Sequence, residues 1–285
     1  MATSTDSDFS PDAFFKYASA ASKVSMDRLV CLIEKREIYF SRPDKFNDPF
    51  EFKPQFQFGE DEDSIRKYLM RLYKEQAHSV SPANRFSHAR SGAAWLSKNS
   101  EQVEADFHSG LLNVGVFCVA EQPDNLLMWS HYGDQHKGIC LEFDGQRWPC
   151  SIANRVRYSE QYPVINPTSP TRVADMRDML FRKGIVWSYE MEWRAVCQPL
   201  VDEERESFAA NPSLDAESVA MLNRQRGTGI YHYDDGALKS ITLGAKINQE
   251  VEDNIRKSVS RSRIPIKLKR AKLKNAEYGL NIEPA

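Results

Sequence analysis

Apolar residues recur along this chain at two spacings, and each spacing predicts a kind of element. Met26, Leu29, Val30 and Ile33 fall on one face of a helix that starts at an N-cap on Ser25 and runs to about Arg36. Ile65, Tyr68, Leu69, Leu72 and Tyr73 mark an amphipathic helix over 63–76. Further helices are predicted over 101–111, from Thr171 to about Lys183, and over 248–258 on Val251 and Ile255. Short apolar or alternating runs predict strands at 14–17, 38–41, 114–119, 156–158, 190–197 and 238–243, and a last one on Ile264, Ile266 and Leu268. The clearest alternation sets Ile139, Leu141 and Phe143 against Cys140 and Glu142, the period of a half-buried strand. Residues 77–100, with Pro82 and many small polar groups, predict a loop with a short helix near 93–97. Residues 161–170 hold three prolines and are predicted irregular, and 201–226 to contain a surface helix. Strands and helices interleave without a repeating unit. The expected architecture is α+β: a single domain over 14–285 with a central mixed or antiparallel sheet and flanking helices, preceded by a flexible lead at 1–13.

One stretch breaks these rules. Met128 to Asp144, MWSHYGDQHKGICLEFD, gathers aromatic and titratable side chains around Gly133 and Gly138 before its strand begins. It reads as a turn feeding a strand, with polar groups collected at one end of a sheet, where binding sites commonly lie.

Composition changes this picture little. The 285 residues are 41% hydrophobic and 27% charged, which favours neither a disordered nor a fibrous class. No apolar run approaches the roughly 18–20 residues of a membrane span, and the N-terminus lacks the pattern of a secretory signal. Five scattered cysteines point to reduced thiols and a cytoplasmic location, with no contact to membrane expected. The net charge of −2 conceals nine Lys or Arg and no acid between Ile255 and Ala276. That run is either a solvated surface or a contact for an anionic partner, nucleic acid or a nucleotide.

A second unusual segment is WSYEMEWR, Trp187 to Arg194. If the chain is extended from Met191, Glu192 and Arg194 project from one face and Trp193 and Ala195 from the other. The charged pair either satisfies itself as an ion pair or places Glu192 in a cleft, where a carboxylate can stabilise positive charge on a sugar carbon. His131 and His136 lie five apart across a glycine, unlike a helix-borne metal pair, and no metal site is assigned. Asn47 and Asp48 sit in a proline-bounded turn, closing it or touching a ligand; Lys16 and Tyr17 open the first strand, at its edge or facing an anion. Phosphate loops of the GxxxxGK[ST] and GxGxxG types are absent. Trp129 and Trp193 are expected to be largely buried, with replacement by Ala costing about 3–5 kcal/mol.

The strings Lys16-Tyr17, IYFSRPDKFNDPFE (38–51), LLMWSHYGDQHKGICLEF (126–143), WSYEMEWR and ITLGAKI (241–247) resemble the bacterial domain-of-unknown-function 2971 family, in order, from about residue 14 to 282. The order of elements is also similar to the ADP-ribosyltransferase superfamily. That resemblance implies NAD as substrate, Glu192 as the carboxylate stabilising an oxocarbenium-like sugar, and Glu190 as its positioning partner. It further implies Tyr17 or Tyr39 stacking on nicotinamide and Lys16 near the phosphates. No counterpart of the family's early Arg or His or of its Ser-Thr-Ser strand is present. His131 completes the candidate catalytic set, and Asn47, Asp48, Tyr132, His136 and Arg194 complete the candidate nucleotide-binding set. The expected function is an NAD-dependent ADP-ribosyltransferase-like enzyme acting on nucleic acid or protein in bacterial defence or stress, a toxin-like role. The alternatives are a metal-dependent hydrolase or nuclease, and a non-catalytic module binding a nucleotide or a partner. Both enzymatic readings require the glycine-flanked histidines and the late acidic strand to converge.

Overall fold

The strand-forming stretches assemble one eight-stranded sheet, seen in a computed structural model that describes residues 10–58, 61–76, 80–169 and 171–285. Its strands, in chain order, are β1 (Ala13–Ala18), β2 (Gly115–Ala120), β3 (Ile139–Asp144), β4 (Asn154–Arg155), β5 (Glu192–Cys197), β6 (Leu238–Leu243), β7 (Lys267–Leu273) and β8 (Leu280–Pro284). Their order across the sheet is β8-β7-β6-β3-β1-β2-β5-β4. Neighbours run antiparallel except β6 and β7, so the sheet is mixed. With its flanking helices this is the α+β class expected from the sequence.

Contacts group the chain into two units. One comprises residues 1–41, 115–156 and 186–285 and carries the whole sheet; the other comprises 42–114 and 157–185. In the sheet-bearing unit, helix α1 (Lys23–Lys35) starts from a capping box on Ser22 and Ser25, three residues earlier than the expected cap. Helix α2 is Leu126–His131, and helix α3, Gln249–Arg261, is capped by Asn248.

The main core lies on one face of the sheet. Phe14, Leu141, Phe143, Phe117 and Ile241 meet Ile33 of α1 and Ile255 of α3, all at most 2% exposed. Alternation places Tyr17 and Cys140 on the opposite face, with Trp129, Met128, Ala271 and Leu280. Strand β3 is therefore covered on both sides at Cys140 and is more buried than a half-exposed strand would be, because it sits near the sheet's centre. Trp129 is fully buried; Trp193 is partly buried against Phe14.

In the second unit, helices Glu62–Gln76 and Pro82–Lys98 pack together and Ser100–Leu111 follows. A buried Lys183–Glu51 ion pair, 3.0 Å long, ties the unit's two stretches.

Several expectations need correction. Residues 82–98 form a 17-residue helix: Pro82 occupies its first turn after the Ser81 cap, and the buried face uses Ala89 and Ala93, too small to register as an apolar stripe. The stretch from Met128 begins inside α2, whose cap, Asn125, lies upstream of it. Glu190 is not on the late strand; it closes a helical turn, Ile185–Glu190, and β5 starts at Glu192. Residues 202–209 and 216–224 are two helices rather than one, and β8 had no counterpart in the reading. The expected lead falls mainly on residues 1–9, outside the described residues, while Asp12 O accepts from Gly145 N at 2.8 Å. No helix among the described residues is long and apolar enough to cross a membrane.

Candidate functional site

The site is built from α2, the turn after it, and the two strand ends they meet. Asn125 starts α2: its Oδ1 accepts from Leu127 N at 3.0 Å and Met128 N at 3.2 Å. The same side chain donates through Nδ2 to Tyr189 O at 2.7 Å, so the cap also fastens α2 to the turn that leads into β5. Trp129 anchors the helix from below, donating Nε1–H to Pro123 O at 2.8 Å and meeting Tyr17 edge-on.

After His131 the backbone turns through three successive left-handed residues, Asp134 (φ 50°), Gln135 (φ 52°) and His136 (φ 69°). Non-glycine residues enter this region at a cost of roughly 1–2 kcal/mol each, so the surroundings must enforce it. They do so through backbone bonds: Gly138 N donates to Gly133 O at 2.8 Å, Lys246 N to His136 O at 2.8 Å and Gly244 N to Gly138 O at 2.9 Å. Two glycines permit this closeness. A Cβ on Gly138 would lie 2.3 Å from Ala18 O, and one on Gly244 would lie 2.2 Å from His136 O. The ITLGAKI string thus contains the clasp of the turn.

The turn holds His136 with its ring nearly parallel to Trp129, 6.2 Å between centroids. Its Nδ1 is buried with no hydrogen-bond partner, and burial, followed by the nearby Lys246 charge, lowers its pKa from the ordinary value. His131 is exposed, with its ring 6.2 Å from Tyr189. Tyr132 reaches furthest: its hydroxyl donates to Glu190 Oε1 at 2.6 Å, and Glu190 is 3% exposed. The glycine-hinged stretch thus meets the residue pair leading into β5 through Tyr132, not through His131 or His136; Glu192 is 4% exposed.

Met191 (φ 45°) separates the two glutamates and resets the side-chain alternation. From Glu192 the strand is regular, and Glu192 and Arg194 share a face as expected. Arg194 is fully buried and grips the carboxylate with both arms, Nε to Oε1 at 2.9 Å and Nη2 to Oε2 at 3.1 Å. Lys16, from β1, projects from the opposite face of the sheet, the face of Phe117 and Leu141. β1 and β2 share a single register pair, Phe15 with Ala120, since the far half of β2 is bridged by Ser41 at Val116. The Lys16 ammonium donates to Cys118 O at 2.9 Å and lies 4.4 Å from the Phe117 ring centre. Lys16 is half-buried as a residue, and its ammonium is the desolvated part: burial lowers its pKa, opposed by the Cys118 thiol and the Glu192 carboxylate. Burial pushes the Cys118 thiol well up, with Glu192 adding to the effect.

The other candidates lie elsewhere. Tyr17 is 7% exposed and its hydroxyl donates to Gln122 O at 2.7 Å, so its ring is packed rather than offered to a ligand. Tyr39, 46% exposed, stands opposite Ile230 on a two-stranded ribbon of Glu37–Phe40 and Gly229–His232. Asn47 and Asp48 belong to the second unit; Asp48 Oδ1 accepts from Phe50 N at 2.9 Å, closing its own turn. Asn125 and Cys118 were not singled out from the sequence. Asn125 had a signal, an Asx residue just before an apolar run; Cys118 had none, because its neighbours come from β1 and β5. Among the described residues no group of three or more His, Cys, Asp or Glu side chains is placed to hold a metal ion.

One comparison bears on this geometry. Residues 128–195 match the model of a family described as protein of unknown function, DUF2971. The matched span starts in α2 and ends in β5, so it contains Tyr132, His131, His136, Glu190, Glu192 and Arg194. No curated protein and no solved structure matches the chain.

Proposed function

We propose that this chain is an NAD-consuming enzyme of the ADP-ribosyl-transfer type, with Glu192 as its central carboxylate. The observation that carries the reading is the Glu192 carboxylate itself, 4% exposed at the start of the late strand and held by both arms of Arg194. In poorly solvated surroundings a fixed carboxylate is worth most against positive charge that develops only in the transition state. In the reaction, the bond between nicotinamide and ribose breaks, nicotinamide leaves with the electron pair, and an acceptor attacks the ribose carbon. Glu192 offsets the transient positive charge; the guanidinium beside it favours the dinucleotide's phosphates. Tyr132 keeps Glu190 in place next to Met191. The acceptor is nucleic acid or protein, in keeping with a role in bacterial defence or stress.

One observation favours a second reading, a non-catalytic nucleotide- or partner-binding module: Glu192 and Arg194 already satisfy each other, with exposures of 4% and 0%. The metal-dependent hydrolase has no comparable support.

The experiment is to follow nicotinamide release from NAD, with and without cell extract, for the wild-type chain and Glu192→Gln, whose fold is checked by circular dichroism. Release that disappears in a folded Glu192→Gln supports transfer. NAD binding without release would favour the module, and release undiminished in the variant would reject Glu192 as the carboxylate.

A further inference from the structure

Away from the candidate site, the sheet-bearing unit holds a cavity of about 550 Å³, where α1 ends and where the chain leaves α3. Its volume falls in the range of roughly 300–1,000 Å³ typical of small-molecule sites. Ile33, Ile264 and Pro265 supply an apolar wall. The charged lining is uneven, with three cations, Lys35, Arg36 and Arg263, against two carboxylates, Glu34 and Asp235.

The partners of these groups narrow the choice of ligand. Arg36 and Asp235 pair with each other, and Arg36 also donates to Tyr233 O at 3.4 Å, so these two charges are committed to the fold. Lys35 and Arg263 are exposed and form no ion pair among the described residues. The Glu34 side chain is 24% exposed; Arg261 comes no nearer than 3.9 Å, and its Oε1 has no hydrogen-bond donor. That oxygen is closed to solvent, so a donor in the cavity meets the exposed part of the Glu34 side chain instead.

The basic run from Ile255 to Ala276 becomes intelligible in these terms. Arg256 and Arg270 pair with Glu252, Lys269 with Glu142 and Lys272 with Glu283. Much of the run is thus engaged within the fold, and Arg263 is the member that lines the cavity.

We propose that this cavity binds a small phosphorylated ligand of mononucleotide size, with the phosphate held by Arg263 and Lys35 and a hydroxyl or amino donor held by the Glu34 carboxylate. The isoleucine wall accommodates the ligand's flat or apolar part. The site shares no residue with the Glu192–Arg194 pair, so it stands whether or not that pair is catalytic.

The test is calorimetric titration of the full chain with AMP, adenosine and inorganic phosphate, repeated on Arg263→Ala and Glu34→Leu. Both positions lie outside the sheet, and thermal melting confirms that the variants fold. The expected result is that AMP binds more tightly than either fragment and that each variant weakens AMP by tenfold or more. No binding of AMP, equal binding of AMP and a fragment, or AMP affinity unchanged in Arg263→Ala would each overturn the proposal.

Discussion

At the scale of single residues, the buried charges decide most. Arg194 and Glu192 form a bidentate pair out of contact with water. Removing one partner leaves the other charge stranded, whereas replacing both with apolar groups avoids that penalty. Arg194→Met should therefore cost about 3–5 kcal/mol in urea denaturation, and Glu192→Met combined with Arg194→Met should recover much of the loss. A double variant no more stable than the single one would show that the pair is not energetically coupled. His136 sets a pH dependence. Burial first, and Lys246 second, hold its folded-state pKa below 6.5, so the unfolded chain takes up the proton first as pH falls. Its contribution to stability is complete above about pH 6.5 and diminishes below it. Thermal melts between pH 7.5 and 5.5 should show this decline, and His136→Asn should lessen it. Glu142 acts lower: burial tends to raise its carboxyl, but bonds from Lys269 and Ser240 outweigh that and hold it below 4.5. These residue types were visible in the sequence as candidates. The Glu192–Arg194 pairing, two positions apart, was one of the sequence's readings; the Tyr132–Glu190 pairing was not, because those residues lie 58 positions apart.

At the scale of elements, the left-handed turn is the least ordinary feature. Gln135 is exposed at φ 52°, so glycine there removes a conformational cost of roughly 1–2 kcal/mol while adding about 0.5–1 kcal/mol of chain entropy to be lost on folding. Gln135→Gly should raise stability by up to about 1 kcal/mol in thermal denaturation. Gly138→Ala should do the reverse, since its Cβ would overlap Ala18 O at the end of β1; a loss of about 1–3 kcal/mol or more is expected in the same measurement. The two glycines were legible as a break in the pattern, and the strand after them as an alternation. The left-handed path was not legible, because it depends on Gly244 and Lys246 arriving from another strand end. The helix at 82–98 escaped for a different reason: apolar periodicity detects large side chains, and its buried positions are alanines.

At the scale of the whole molecule, the order of strands outranks their individual strength. β1, near the amino terminus, lies between β3 and β2, and its six-residue register with β3 closes the centre of the sheet. A chain lacking residues 1–41 loses β1, α1 and the pairing partner of Gly229–His232. Such a chain should show no cooperative thermal transition, and a sharp transition would refute this assignment of the centre. The division into two units arises from interleaved stretches, so no linear boundary marks it in the amino-acid order. By itself the sequence determined the α+β class, most helices and strands, and which residue types cluster unusually, because periodicity and capping act over a few neighbouring positions. Tertiary structure alone decided the strand order, the Tyr132–Glu190 bond and the cavity beside Glu34. Each of these joins groups that the chain brings together only after long loops have closed, and local preference carries no record of such meetings.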